Sequence, residues 1–218
     1  ATKRERLKAV QRISSLLEGL MDQQSYATRS LEDALLESCT HETCDEVMTL
    51  LLEHLGRRCA HHYSLGNFQR SLQHLEWIIS LEASSRVALR DEGANLAREE
   101  RERLGRTPLG LSLAADLLLE NKKSEAALQL LKLIGPQAWN GVLEAIRSEP
   151  DRTRAERLAM QLPKLGPEST ALFAAALGRE QETDALFRLL HVAPAVGDSD
   201  ALWQKIPPLL RHTEATIP

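Results

Sequence analysis

Residues 52–82, LEHLGRRCAHHYSLGNFQRSLQHLEWIISLE, constrain the fold of this chain more than any other stretch. On the N-terminal side Val47, Leu51, Leu55 and Cys59 recur every fourth residue, flanked by Met48, Leu52 and Ala60. That is the apolar stripe of an amphipathic helix. After a Gly66-Asn67 pair the stripe resumes at Phe68, Leu72, Leu75, Ile79 and Leu81. Glycine takes a positive φ without a Cβ clash, and asparagine is the next most tolerant turn residue. A turn this short predicts two helices lying antiparallel against each other.

The hairpin resembles a tetratricopeptide repeat, a helix–turn–helix unit of about 34 residues. Aligned on Gly66, small Ser71 falls at the small position of the second helix, Leu75 at the large one, and Leu55 and Cys59 in the first helix. Arg58 stands where the family has leucine, Ile78 replaces a small residue, and Ala83 replaces the closing proline. A second unit starts at Thr107-Pro108, an N-cap threonine followed by proline at the first helical position. There LGLSLAADLLLENKKSEAALQLLKLIG puts Asn121 at the turn, Ala126 and Leu130 at the small and large positions, Leu113 and Ala114 in the first helix, and Pro136 at the close. A third hairpin is expected from Ser169–Leu177 and Thr183–Leu190 around Gly178.

Shorter signals fill in the rest. A first helix is expected over 3–21, with Leu7, Val10, Ile13, Leu17 and Leu20 on one face, and a break at Asp22–Ser25. Ser30 with Asp33, Thr43 with Glu46, and Thr153 with Glu156 read as capped helix starts. Ser85 and Ser199 read as further caps, the latter opening a last helix through Leu202, Trp203, Ile206 and Leu210 that Pro207-Pro208 interrupts. Ala138–Arg147 is a short helix, Pro163 and Gly166-Pro167 are breaks, and HVAPAVGDS is a loop. The expected fold is all-α, a right-handed stack of antiparallel helical hairpins with about twelve helices. It forms one elongated helical-repeat domain over 1–218, with 1–106 and 107–218 as sub-units.

Composition narrows the function. Lys+Arg 27 against Asp+Glu 31 gives a net charge of -4, which argues against a general nucleic-acid binder. Arg98, Arg101, Arg103 and Arg106 would suit nucleic acid, but Glu99, Glu100 and Glu102 interleave with them, and the stretch reads first as a solvated face with local ion pairs. No apolar run approaches the ~20 residues that span a bilayer. Three cysteines are too few for a disulfide framework, so a reducing, intracellular compartment is expected, cytoplasmic or else nuclear.

Cys39, His41, Cys44, Cys59, His61 and His62 are six soft ligands within 24 positions. Zinc needs four of them on one tetrahedron, yet Cys44 and Cys59 lie on one predicted helix, about 22 Å apart at 1.5 Å per residue. No metal is therefore expected there, with Cys59 a small core residue. No nucleophile elbow, catalytic cysteine signature or glycine-rich phosphate loop is present, so neither a catalytic residue nor a cofactor is expected.

The expected function is a non-enzymatic scaffold that binds another protein, a peptide or a second copy of itself. An RNA- or DNA-associated helical scaffold is the alternative. In the repeat family the first helix of each pair lines the concave groove. That resemblance implies a partner surface made of Glu53, Arg57, Ala60 and Ser64 from one hairpin and Leu111, Ala115 and Leu118 from the next.

Overall fold

The turn at Gly66 closes as its residues predict. Gly66 has φ 76, the Asn67 N–H donates to the carbonyl of His62 at 2.8 Å, and the Gly66 N–H donates to Tyr63 at 3.0 Å. Together these form a Schellman motif, which satisfies carbonyls that the helix end would otherwise leave open. A computed structural model describes residues 2–19, 26–83, 91–119, 122–197, 202 and 204. Among these the chain is all-helical, with no strand.

Two compact units divide the chain, 1–104 and 105–218. In the first, α1 (Lys3–Gly19), α2 (Tyr26–His41), α3 (Asp45–Ser64) and α4 (Phe68–Ala83) are followed by α5 (Asp91–Arg106). The α3–α4 hairpin is its most extensive contact, and α1 and α2 both pack on α3. Met48, Leu51, Leu52, Leu55, Cys59, Leu75, Ile78 and Leu81 make the core. Ser71 shows what the small position is for: its hydroxyl donates to the Cys59 carbonyl at 2.8 Å, so two helix backbones meet there. Gly56 is a second close approach, since a Cβ on it would lie 1.9 Å from Glu100 Oε1.

The second unit holds α6 (Pro108–Asp116), α7 (Lys122–Ile134), α8 (Pro136–Ser148), α9 (Arg152–Ala159), a four-residue α10 (Leu162–Leu165), α11 (Pro167–Leu177) and α12 (Thr183–Val196). Helix α8 is its centre, touching α6, α7, α9, α11 and α12. Trp139 ties it to α7 through an indole N–H to the Leu131 carbonyl at 2.8 Å. Helix α12 reaches back past α11 to α8 and α9. Leu130, Leu113, Ala114 and Ala126, the residues assigned to the second repeat, are all buried.

Several helix boundaries differ from those the sequence suggests. Ser30 lies inside α2 and caps nothing, because the helix starts earlier, at Tyr26. Thr43 and Glu46 form no capping box. The start of α3 is served by Glu42, whose carboxylate accepts from the N–H groups of Thr43 and Cys44 at 2.8 Å each, while Glu46 reaches Lys3 at 2.5 Å. Thr153 is likewise bypassed, since Asp151 accepts from the Arg154 N–H at 3.1 Å and caps α9 two residues earlier.

Residues 191–196, expected in a loop, continue α12 with Pro194 inside it. Ala185, Leu186, Leu189, Val192, Ala193 and Val196 form one unbroken buried stripe that outweighs the single proline. In the REERERLGR stretch Arg103 pairs with Glu100 within the helix, while Arg98 and Arg101 reach across to Glu82 of α4 at 3.0 and 2.8 Å. The break at 22–25, the Ser85 and Ser199 caps, the Asn121 turn, Trp203 and residues 205–210 lie outside the described residues.

Candidate functional site

Charged residues at apolar positions of the first unit build its most unusual feature. His54, Arg58 and His62 recur every fourth residue of α3, on its buried face, and all three are almost wholly enclosed. Helix α2 brings Glu32, on the same face as Leu35 and Cys39, and α4 brings His74. Glu32 is the hub. Its Oε1 accepts from Arg58 Nε at 2.7 Å and lies 2.6 Å from Arg58 Nη2. The same oxygen is 3.3 Å from His62 Nε2 and 3.6 Å from His74 Nε2.

Electrostatics explain why such a cluster survives in a core. Burial works against the Glu32 charge, but the polar groups of His62, His74 and Arg58 prevail and hold its carboxyl well below the usual carboxylate range. Burial, assisted by His74 and Arg58, lowers the His62 pKa, so that imidazole stays neutral at neutral pH. Removing one partner from a buried pair of this kind costs ~3–5 kcal/mol, because a charge is left without compensation. The His74 ring is fixed from the other side, with Nδ1 2.8 Å from the Arg70 carbonyl and Trp77 packed at 4.8 Å between ring centroids.

Of the six soft ligands picked out in the sequence, only His62 belongs to this cluster. Cys39 and Cys59 are buried, and burial pushes their thiols up to about 12 and about 11. Cys44 sits at the N-cap of α3 and His41 is exposed at the end of α2. Sequence reasoning missed Glu32, Arg58 and His74 as a set. Their signal was present as charged residues in register with leucines, and Arg58 at a leucine position was its visible part.

The residues assigned to a partner surface fall in both units. Leu111, Ala115 and Leu118 come together in a groove of about 300 Å³ in the second unit, between α6, α8 and α9. Its apolar lining includes Ala145 and Leu158, and Glu144, Glu149 and Arg154 form its rim. Leu111 is 63% exposed, a large apolar side chain turned to water. In the first unit Glu53 lines a separate, small depression between α3 and α5. Arg57 and Ser64 are exposed on α3, where the Ser64 hydroxyl donates to the His61 carbonyl at 2.7 Å.

No protein family, curated protein or solved structure matches this chain. Among the described residues no helix is long and apolar enough to cross a membrane.

Proposed function

We propose that the chain is a non-enzymatic interaction module of stacked helical hairpins, tetratricopeptide-like in kind, that holds a peptide segment of a partner protein against α6 inside the cell. One observation carries this reading: Leu111 stands 63% exposed in a groove that also gathers Ala114, Ala115, Leu118, Ala145 and Leu158. An exposed leucine alone is ordinary, but one continuous with a concave apolar surface is the kind of place where a partner's side chains are received. The rim bears charges of both signs. Glu144, its side chain 61% exposed, pairs with Arg147 at 2.9 Å, and Glu149 pairs with Arg154 at 3.3 Å. A short apolar segment with polar flanks would satisfy both groove and rim.

Other surfaces support this choice. The larger cleft between α9 and α12, about 520 Å³, is lined by mixed charges including Arg152, Asp184 and Arg188, and its His191 is engaged by Glu156 at 3.0 Å. Arg98, Arg101 and Arg103, on which a nucleic-acid reading would rest, are held by Glu82 and Glu100.

The test is affinity capture with the wild-type chain beside Leu111→Glu, with circular dichroism showing that the variant folds. A protein held by the wild type and lost by the folded variant must then bind the wild type again when both are purified, at least tenfold more tightly than the variant. Equal capture by both chains would remove the groove from consideration. Nucleic acid in the eluate with no protein partner would move the function to the alternative class.

A further inference from the structure

Glu32, His62 and His74 bring three potential metal-ligand atoms to one point. Glu32 Oε1, His62 Nε2 and His74 Nε2 lie within 4.8 Å of one another. Two edges of that triangle measure 3.3 and 3.6 Å. A tetrahedral zinc ion with bonds of about 2.0–2.1 Å separates its ligand atoms by about 3.3–3.4 Å. Two of the three edges are therefore close to what an ion requires, and the third is no longer than 4.8 Å.

The histidine tautomers point the same way. His74 Nδ1 faces the Arg70 carbonyl at 2.8 Å, a contact that only an Nδ1–H can make favourable. In the neutral ring the proton therefore sits on Nδ1 and Nε2 carries the lone pair. That atom is fully buried and has no hydrogen-bond partner, although it is directed at a carboxylate oxygen. An N–H to a backbone carbonyl on the far nitrogen is also how metal-bound histidines are held in register. His62 Nε2 lies between the acceptor Glu32 Oε1 at 3.3 Å and the donor Arg58 Nη2 at 3.4 Å, and in the tautomer protonated on Nδ1 it would turn a lone pair to the same point.

We propose that Glu32, His62 and His74 bind a single divalent transition metal ion of the zinc type. In the metal-free chain Arg58 is the counter-cation, with Nη2 2.6 Å from the carboxylate oxygen the ion would take. A divalent ion beside a guanidinium would leave the pocket with excess positive charge, so Nη2 gives way as the ion enters. Arg58 thus lowers the affinity and keeps the cluster neutralised until metal arrives. This set is distinct from the cysteine-based one considered from sequence, since it uses no thiolate and joins three helices rather than two ends of one.

The chelator-treated full chain is titrated with Zn²⁺ by calorimetry and with Co²⁺ by visible absorption. One equivalent should bind, with tetrahedral Co²⁺ bands, and the affinity should fall at least tenfold in His62→Gln and His74→Gln. Arg58→Met should gain at least tenfold, an effect that a merely structural arginine would not produce. If a variant fails to fold, the histidine ¹⁵N resonances of the wild type decide: addition of Zn²⁺ should shift Nε2 of two histidines, His62 and His74. Absence of one-equivalent binding in both wild type and Arg58→Met overturns the proposal. So does binding that survives both glutamine variants, or that shifts other histidines, which would place the ion on the exposed His41–Cys44 side.

Discussion

His54 shows what a single buried titratable side chain does to a helix pair. Only 1% exposed, it has no hydrogen-bond partner for either ring nitrogen among the described residues. Burial, followed by the charges of Arg57 and Arg58, lowers its pKa to about 4; Glu32 opposes the shift and His74 adds to it. A histidine whose folded pKa lies below its unfolded value of 6.5 binds more protons when unfolded. Its contribution to stability is therefore complete above pH 6.5 and is lost as pH falls towards 4, a swing of roughly 3 kcal/mol. Urea denaturation across that range should show stability falling with acid, and His54→Leu should flatten the slope. An unchanged slope in the folded variant would mean that other groups set the acid sensitivity. Residues of this kind were hard to read in the sequence because a histidine between two leucines looks the same whether it faces a core or water. Only helical phase separates the cases, and His54, Arg58 and His62 share the phase of Leu51 and Leu55.

At the scale of elements, the hairpin turn was legible and the helix starts were not. Gly66 does one job that few residues can, so its position fixes the turn. Caps are chosen among near-equivalent neighbours. Asp151 and Thr153 both offer an oxygen to a helix start, and the chain uses the aspartate two residues earlier. Helix α12 begins at Thr183 as expected but runs on past Leu190 for the opposite reason, because Pro194 and Gly197 drew attention from a buried stripe that never broke. Close helix approach is a further element-scale property. Gly105, Gly110 and Gly141 cluster where α6 crosses α8, and a Cβ on Gly110 would stand 2.2 Å from the Gly105 carbonyl oxygen. That neighbour is backbone and has nowhere to rotate. Gly110→Ala should cost ~1–3 kcal/mol, with the helices forced apart, against the small gain that alanine brings to an exposed helix. A melting temperature equal to or above the wild-type value would show that α6 shifts freely against the Gly105 carbonyl at the end of α5, and the close approach described here would then be wrong.

For the whole molecule, the informative quantity is how far a local loss travels. Each unit has its own core, one built on the α3–α4 hairpin and one on α8, and each contains a fully buried leucine at the large position of a hairpin, Leu75 and Leu130. Truncating either to alanine removes the same transfer energy and leaves a cavity, for an expected ~2–5 kcal/mol. The two variants should differ in where the loss appears. In native-state hydrogen exchange followed by mass spectrometry, Leu75→Ala should speed exchange in peptides from α3 and α4, and Leu130→Ala in those from α6, α7 and α8. Opening confined in this way is what nearest-neighbour packing produces, since each helix is stabilised by those it touches. Faster exchange along the entire chain from either substitution would instead reveal one cooperative core. The stacked-hairpin reading would then lose its physical basis, because a stack is defined by contacts that stop at the next unit. The outcome bears on the groove as well. If α6–α8 open without the first unit, then a peptide seated on Leu111 should protect those helices alone, and protection on adding a purified partner gives a second, independent measure of where it binds.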